Sequence, residues 1–221
     1  MSQPRTNLPA DPDAYWNALA QNPAVGVSVV DIDGVVRFTN KKAAEMFLGG
    51  TPEEVIGKTL YDLFPREWAD ERMSILKSIA ETKRPAIIRH IRRGVQVQSE
   101  ITPIECEKTS DQCFLVLTHE GEHDPDHSEY EIIESRLADF GPLDALTRRE
   151  LEVLALIKHG MTLDEIAKLL HRSRKTIDNH RTSIAKKLGE SSRVRLAQIA
   201  EQAGLEIQDA ELKRIATRRE H

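Results

Sequence analysis

The sequence predicts two domains. The first is an α+β domain with a five-stranded antiparallel sheet and short helices on one side, and the second is an all-α domain of four helices. A chain of 221 residues is long enough for each domain to bury its own core. Strand-like apolar runs occur before residue 120, whereas later apolar residues recur at helical spacing. A linker helix is expected to join the two domains.

The net charge changes sign along the chain. Residues 1–140 contain 15 Lys and Arg against 24 Asp and Glu, whereas residues 141–221 contain 16 against 12. From Arg172 to Lys187 there are six basic side chains and a single acid, Asp178. An acidic half followed by a locally basic half is typical of a regulatory domain attached to an anion-binding module.

The composition also argues against several classes of protein. No apolar run approaches the ~18 residues that cross a bilayer, and the first residues lack a signal-peptide core, so we expect a cytoplasmic protein with no membrane contact. No glycine-rich phosphate loop or nucleophile motif is present, which argues against an enzyme. Cys106 and Cys113 cannot form a disulfide framework. We expect both to be reduced strand cysteines, with a redox switch as the alternative.

Residues 1–22 are predicted to be an N-terminal tail followed by a short helix that caps the first domain. Residues 1–12 are polar and proline-rich, and residues 13–21 have amphipathic helical spacing. Tyr15 and Trp16 lie on this helix, and two aromatic side chains are expected to cover the sheet or a partner subunit.

Residues 23–121 contain the strands and short helices of the first domain. Asp33-Gly34 lies between two β-branched runs, which is a strong signal for a hairpin. Asn40 suits the cap of the helix that follows. Two short helices and a longer amphipathic helix over residues 67–82 come next. Three predicted strands complete the domain, at residues 86–92, 95–105 and 113–119.

These residues resemble a PAS domain. The resemblance rests on the motifs N-P-A-V-G-V-S-V-V-D-I-D-G-V-V-R-F-T-N-K-K-A-A-E-M-F and E-E-V-I-G-K-T-L-Y-D-L-F-P and on the final three strands, and it covers residues 21–121. It implies a domain that senses a signal or ligand, that dimerises, or that does both. The alternative is a ligand-free module for dimerisation or protein interaction.

The interior of such a domain is either a ligand pocket or a closed core. A haem-binding member would need a histidine on the helix at 67–82, which has none, and a flavin-adduct photosensor would need a cysteine in an earlier helix. The cofactor is therefore unknown, without a clear haem or flavin signature. The side chains expected to line a pocket for a small-molecule ligand are Phe38, Phe47, Trp68, Met73 and Ile88.

Residues 122–143 are predicted to be a linker with a dimerisation helix. Tyr130, Ile133, Leu137 and Phe140 are spaced 3, 4 and 3 residues apart, which is helical spacing. A coiled coil with a second subunit is the preferred arrangement, and packing onto the protein's own sheet is the alternative.

Three histidines, His119, His123 and His127, lie four residues apart among acidic side chains. Gly121 and Pro125 interrupt any continuous helix that would gather them as metal ligands. A solvated acidic linker is preferred, and no metal site is predicted.

Residues 144–205 are predicted to form four helices, with residues 206–221 as a C-terminal tail. Thr147 and Thr162 each precede a glutamate by three residues, which is the spacing of a capping box. Ser173 begins a third helix and Gly189 ends it. Two helices joined by a tight turn, the second one basic, make a helix-turn-helix.

The stretch from L-T-R-R-E-L to A-K-K-L-G resembles the LuxR/FixJ-type DNA-binding domain over about fifty residues. The resemblance implies base contacts at Asp178, Asn179 and Thr182. It implies phosphate contacts among Thr176, Arg181, Lys186 and Lys187. A helical wheel independently places Lys175, Asn179, Thr182 and Lys186 on the arc opposite the apolar face.

Asp178 is the unusual residue of this helix, because family members often have a basic or neutral group there. Its carboxylate could accept a hydrogen bond from a cytosine amino group, or it could hold Arg181 or Arg174. The second role is preferred because an unpaired acid beside phosphates is unfavourable. We therefore predict a sequence-specific transcriptional regulator that binds double-stranded DNA as a homodimer.

Overall fold

The computed structural model describes residues 11–48, 50–106, 112–121 and 129–215. The first part contains α1 (Pro12–Ala20), β1 (Gly26–Asp31), β2 (Val36–Thr39), α2 (Lys41–Leu48), α3 (Pro52–Val55), α4 (Leu60–Leu63), α5 (Arg66–Thr82), β3 (Ala86–Arg92), β4 (Val95–Glu105), β5 (Gln112–Glu120) and β6 (Glu131–Ala138). The second part contains a 3₁₀ helix (Gly141–Ala145), α6 (Arg148–Lys158), α7 (Leu163–Leu169), α8 (Arg174–Leu188), α9 (Arg193–Gln202), a second 3₁₀ helix (Ile207–Glu211) and β7 (Lys213–Arg214).

The strands form one sheet in the order β2-β1-β5-β4-β3-β6-β7. The five predicted strands are all present and antiparallel to their neighbours within that set. Among the described residues the sheet gains two further strands, because β6 lies parallel to β3 and β7 lies parallel to β6. The two-domain α+β and all-α arrangement is confirmed, with seven strands in place of five.

The predicted linker helix is wrong, because the segment that follows residue 130 is strand β6. Without β6, strand β3 would be an edge with unpaired backbone groups, and β6 satisfies them. Arg89 pairs with Glu134 and Ile91 pairs with Ala138, so three residues of β6 lie opposite His90 alone. This bulge lengthens the spacing of the apolar side chains and imitates a helical period. The segment thus packs on the protein's own sheet.

The expectation of two reduced cysteines is also wrong, because Cys106 and Cys113 form a disulfide with their Cα atoms 5.7 Å apart. Strands β4 and β5 are antiparallel neighbours, and Ile104 pairs with Cys113. That register brings Cys106 at the end of β4 within reach of Cys113. His123 and His127 lie outside the described residues, and the described part of the chain contains no cluster of three metal-binding side chains.

The helical domain packs against the end of the sheet. Its core contains the fully buried Leu151, Leu154 and Ile177, and it also includes Ile91 of β3 and Phe140, which follows β6. The segment predicted to be a C-terminal tail returns to the sheet as β7. Across the described ranges, no helix is sufficiently long and apolar to cross a membrane.

Candidate nucleic-acid interface and cavity of the first domain

Helix α8 begins and ends where the sequence predicts. The Ser173 hydroxyl accepts a hydrogen bond from the backbone N–H of Thr176 at 3.1 Å. Gly189 ends the helix with φ of 68°, a left-handed conformation that suits glycine. Ile177 and Ile184 are fully buried against the rest of the domain. One face of α8 is therefore fixed by packing and the other faces solvent.

The solvent-facing side of α8 carries polar and basic side chains. Asn179 and Thr182 are exposed and lie one turn apart on this face. Lys175 and Lys186 are exposed at its two ends. Thr176 lies beside the cap, with its hydroxyl 2.8 Å from that of Ser173. The structure thus brings four of the predicted contact residues, Lys175, Asn179, Thr182 and Lys186, to one exposed surface.

Asp178 holds Arg181 within the helix. The Nε atom of Arg181 donates to Oδ1 of Asp178 at 3.1 Å. The carboxylate is half exposed, and the guanidinium is about one-third exposed. This is the contact expected if Asp178 orients Arg181, and it leaves the remaining guanidinium N–H groups of Arg181 available to an external acceptor.

Glu150 of α6 caps its own helix, as its spacing from Thr147 predicts, and it also contacts α8. Its carboxylate accepts from the Ser183 hydroxyl and from Lys187 Nζ, each at 2.6 Å, and from the Thr147 backbone N–H at 2.7 Å. Burial alone raises the pKa of Glu150, but these hydrogen bonds outweigh it and lower the pKa to about 2. Glu150 therefore fixes α8 to α6 and already engages the charge of Lys187.

The first domain encloses a cavity of about 90 Å³ between α2, α5 and the sheet. Three of the five predicted ligand-binding side chains line it, namely Phe47, Trp68 and Ile88. The other two do not. Phe38 packs against Trp16 of α1 with ring centres 5.0 Å apart. Met73 lies under the β1–β2 turn, where a Cβ on Gly34 would come within 2.6 Å of the Met73 sulfur.

A chain of buried polar groups crosses one wall of the cavity. Arg72 donates to Nδ1 of His90 at 3.1 Å, and Nε2 of His90 lies 3.4 Å from the Ser99 hydroxyl. Because a guanidinium can only donate, Nδ1 of His90 is the acceptor and Nε2 carries the hydrogen. Arg72 also lies over the Trp68 ring, 4.7 Å from its centre. A polar ligand group in the cavity would meet Arg72, His90 and Ser99.

The charge states of this wall follow from its burial. Burial lowers the pKa of Arg72 to about 10, against the opposing effect of Glu71, so Arg72 stays protonated at neutral pH. Burial, with the charges of Arg72 and Arg92, holds the pKa of His90 well below its usual value. His90 is therefore neutral at pH 7. No motif in the sequence predicts Arg72 and His90 as site residues, although each is a polar residue at an inward-facing position of its element.

These features define a class of protein in which an α/β domain with an internal cavity precedes a four-helix domain with an exposed helix-turn-helix. Residues 22–120 match the PAS fold family, and residues 144–200 match the family described as bacterial regulatory proteins, luxR family. The chain therefore contains a domain that matches the PAS fold family, followed by a domain that matches the luxR family of bacterial regulatory proteins. That family consists of regulators, which agrees with the prediction that the chain is not an enzyme.

Individual relatives resemble parts of the chain. The uncharacterized response regulatory protein YgeK of Escherichia coli (strain K12) is 42% identical over 79 residues, which are 36% of this chain and 52% of YgeK. The oxygen regulatory protein NreC of Staphylococcus aureus (strain JH9) is 44% identical over 59 residues, 27% of each chain. This chain thus spans about half the length of YgeK and about a quarter of NreC.

A solved structure covers almost the whole chain. It is the Vibrio cholera VqmA-Ligand-DNA complex, with a TM-score of 0.51, 20% identity, and coverage of 92% of this chain and 93% of that chain. At this level of identity the similarity concerns the fold alone.

Proposed function

We propose that this protein is a sequence-specific DNA-binding transcriptional regulator whose PAS domain responds to a small molecule. The observation that carries the DNA-binding part is the division of α8. Its apolar face and Glu150 anchor the helix, so its exposed polar and basic face can enter the major groove without being reshaped.

The side chains of α8 would divide the work of binding. Asn179 and Thr182 are placed to contact base edges and would set the sequence preference. The phosphate contacts would come from Lys175, Thr176, Arg181, Lys186 and Lys187, and the basic side chains among them that Glu150 does not engage would supply most of the salt-dependent affinity. Asp178 would hold Arg181 and so leave only part of its guanidinium for a phosphate.

A homodimer on two half-sites follows from this arrangement, since a single short recognition helix reads few base pairs. Strand β6 is part of its own sheet, so the dimer contact that we propose is made by α9, the last α-helix of the DNA-binding domain. Val194 on α9 is 65% exposed, an apolar side chain that a second copy could cover. The VqmA complex with ligand and DNA supports looking for the same combination of partners here.

The cavity suits a small and mostly apolar molecule that bears one hydrogen-bonding group. Its aromatic wall, with Phe47, Phe64 and Trp68, would hold a planar apolar ligand. Arg72 and Ser99 would bind the polar group. The alternative is a PAS domain without ligand that only dimerises. Native mass spectrometry of gently purified protein distinguishes the sensor from the ligand-free domain, because only the sensor carries a bound small molecule.

DNA binding is tested by footprinting the purified full-length protein on genomic DNA and then measuring affinity for the recovered sites. We expect Lys186→Ala to weaken binding to all sequences and to reduce the salt slope by about 0.9. Asn179→Ala should reduce discrimination between specific and random DNA by about 1–3 kcal/mol. Lys77→Ala, an exposed lysine on α5, is the matched control and should change neither. Unchanged specific affinity in both α8 variants would contradict the assignment.

A further inference from the structure

Glu71 of α5 joins the cavity wall to strand β6. Its Oε2 atom accepts from Arg72 Nη1 at 2.8 Å and from the Ser135 hydroxyl at 2.8 Å. Its Oε1 atom accepts from the backbone N–H of Arg136, also at 2.8 Å. One carboxylate therefore connects a helix, a buried arginine and a strand.

Arg72 carries this connection into the cavity. Its second terminal nitrogen donates to His90, and its guanidinium lies over Trp68, so both contacts are made with side chains that line the cavity. A ligand group that accepts a hydrogen bond from Arg72 would compete with His90. A change of partner at Nη2 of Arg72 would move the guanidinium, whose Nη1 is bound to Glu71.

The β6 residues that Glu71 holds are those of the bulge. Three residues of β6, from Ser135 to Leu137, face His90 alone, so the bulge breaks the regular ladder here. The Arg136 N–H instead donates to Glu71, and the Leu137 N–H donates to the Ser135 hydroxyl at 3.2 Å. The geometry of the bulge thus depends on the Glu71 carboxylate.

The bulge stands at the entrance to the DNA-binding domain. Leu137 and Ala138 pair with β7, and Phe140 is buried in the helical core. Asp139 accepts from Arg92 at 2.7 Å. Arg92 in turn donates to the carbonyl of Phe47, which lines the cavity, at 2.5 Å. Two separate contacts therefore link the cavity wall to residues 135–139.

We propose that Glu71 couples the cavity to the DNA-binding domain by holding or releasing the β6 bulge. When the cavity side of Arg72 changes partner, Glu71 changes its hold on Ser135 and Arg136, and the pairing of β6 with β7 shifts with it. The bulge is the element with two arrangements, and Glu71 is a positioning residue that acts through Arg72. The proposal rests on the proposed sensing function and names the path that sensing takes.

The test compares full-length variants by amide hydrogen exchange over residues 131–140 and by DNA affinity. Glu71→Gln keeps the shape of the side chain and removes its charge. We expect exchange in this segment to become about tenfold faster, the factor for loss of one charge-assisted hydrogen bond, and DNA affinity to change in parallel. Glu81→Gln, an exposed glutamate on the same helix, is the control and should change neither.

A cavity-side variant then tests the coupling without a ligand. His90→Phe breaks the hydrogen bond between Arg72 and His90, which an acceptor-bearing ligand would also break. Ser99→Ala is the milder variant if His90→Phe folds poorly. We expect either change to alter exchange at 131–140 in the parent protein and to add nothing in the Glu71→Gln background. Additive effects, or altered exchange with unaltered DNA affinity, would overturn the coupling. A parent protein that binds no DNA while this exchange pattern holds would instead overturn the proposed function.

Discussion

The outer face of α8 and the wall of the PAS cavity both carry charged side chains, but the charges have partners of different origin. On α8 the charges are exposed, and the ion pair within the helix is the local one between Asp178 and Arg181. In and beside the cavity wall the charges are buried: Arg72 pairs with its neighbour Glu71 and donates to His90 of β3, and Arg92 pairs with Asp139, which follows β6. The first surface keeps charge available for an external anion, whereas the second neutralises its charges internally.

Glu150 does not follow this difference between the two regions, and its substitution has the largest expected effect on stability. Glu150 lies in the helical domain, yet it is buried and makes non-local hydrogen bonds to Ser183 and Lys187. We expect Glu150→Ala to destabilise the protein by about 1–3 kcal/mol, because it leaves the partly buried donors of Ser183, Lys187 and Thr147 without this acceptor. Denaturant unfolding at pH 7 measures this.

The variant Glu150→Gln sharpens the result. It keeps an acceptor for Ser183 but loses the charge that Lys187 engages, so its effect should be smaller than that of Glu150→Ala. If both variants were as stable as the parent protein, Glu150 would not fix α8, and the local contacts of the helix would suffice.

The two regions should also respond to acid in different pH windows. The folded-state pKa of His90 lies below its value in the unfolded chain, so the unfolded state binds more protons below about pH 6.5. Stability is therefore lost as the pH falls from about 6.5, with a slope of up to about 1.4 kcal/mol per pH unit. The pKa of Glu150 is lowered to about 2, so its stabilisation is present above pH 4.5 and is lost only below it.

Unfolding curves at pH 7, 6 and 5 separate these contributions, because Glu150 stays ionised throughout that range. His90→Gln should flatten the pH dependence relative to the parent protein. An equal slope in both proteins would show that His90 is not held neutral by the cavity wall. His171, an exposed histidine outside the cavity, provides the matched control His171→Gln.

The same division explains what the sequence could predict. The N-terminal cap, the terminating glycine and the two faces of α8 depend only on the spacing of residues within the seventeen from Ser173 to Gly189. The structure has all of these features at the predicted positions. Phe38 and Met73 do not line the cavity as predicted, because the neighbours that each side chain reaches depend on the strand order and on the packing of α1 and α5. Local spacing does not contain that information.

The helix predicted for the segment of β6 is wrong for a related reason. The bulge of β6 opposite His90 gives its apolar side chains a helical spacing. The segment forms a strand because it pairs with the otherwise unpaired edge of β3. The two-residue strand β7 has no sequence signal of its own, since it forms because β6 offers it an edge. The strand pairings that connect the two domains are thus the part of the fold that is hardest to predict from the sequence.

The substitution of Asp178 has the smallest expected effect on stability. It tests whether Asp178 interacts only with Arg181 or also with DNA. Asp178→Ala should change stability by about 0.5 kcal/mol or less, because the pair with Arg181 is substantially exposed. It should strengthen DNA binding, since it removes an acid next to phosphates and releases Arg181 to contact them. Glu45→Ala, which removes an exposed acid paired with Lys41 on α2, is the control and should leave DNA affinity unchanged. If Asp178→Ala weakened binding at the specific site alone, Asp178 would be contacting a base, and the carboxylate would belong with Asn179 and Thr182 as a determinant of sequence.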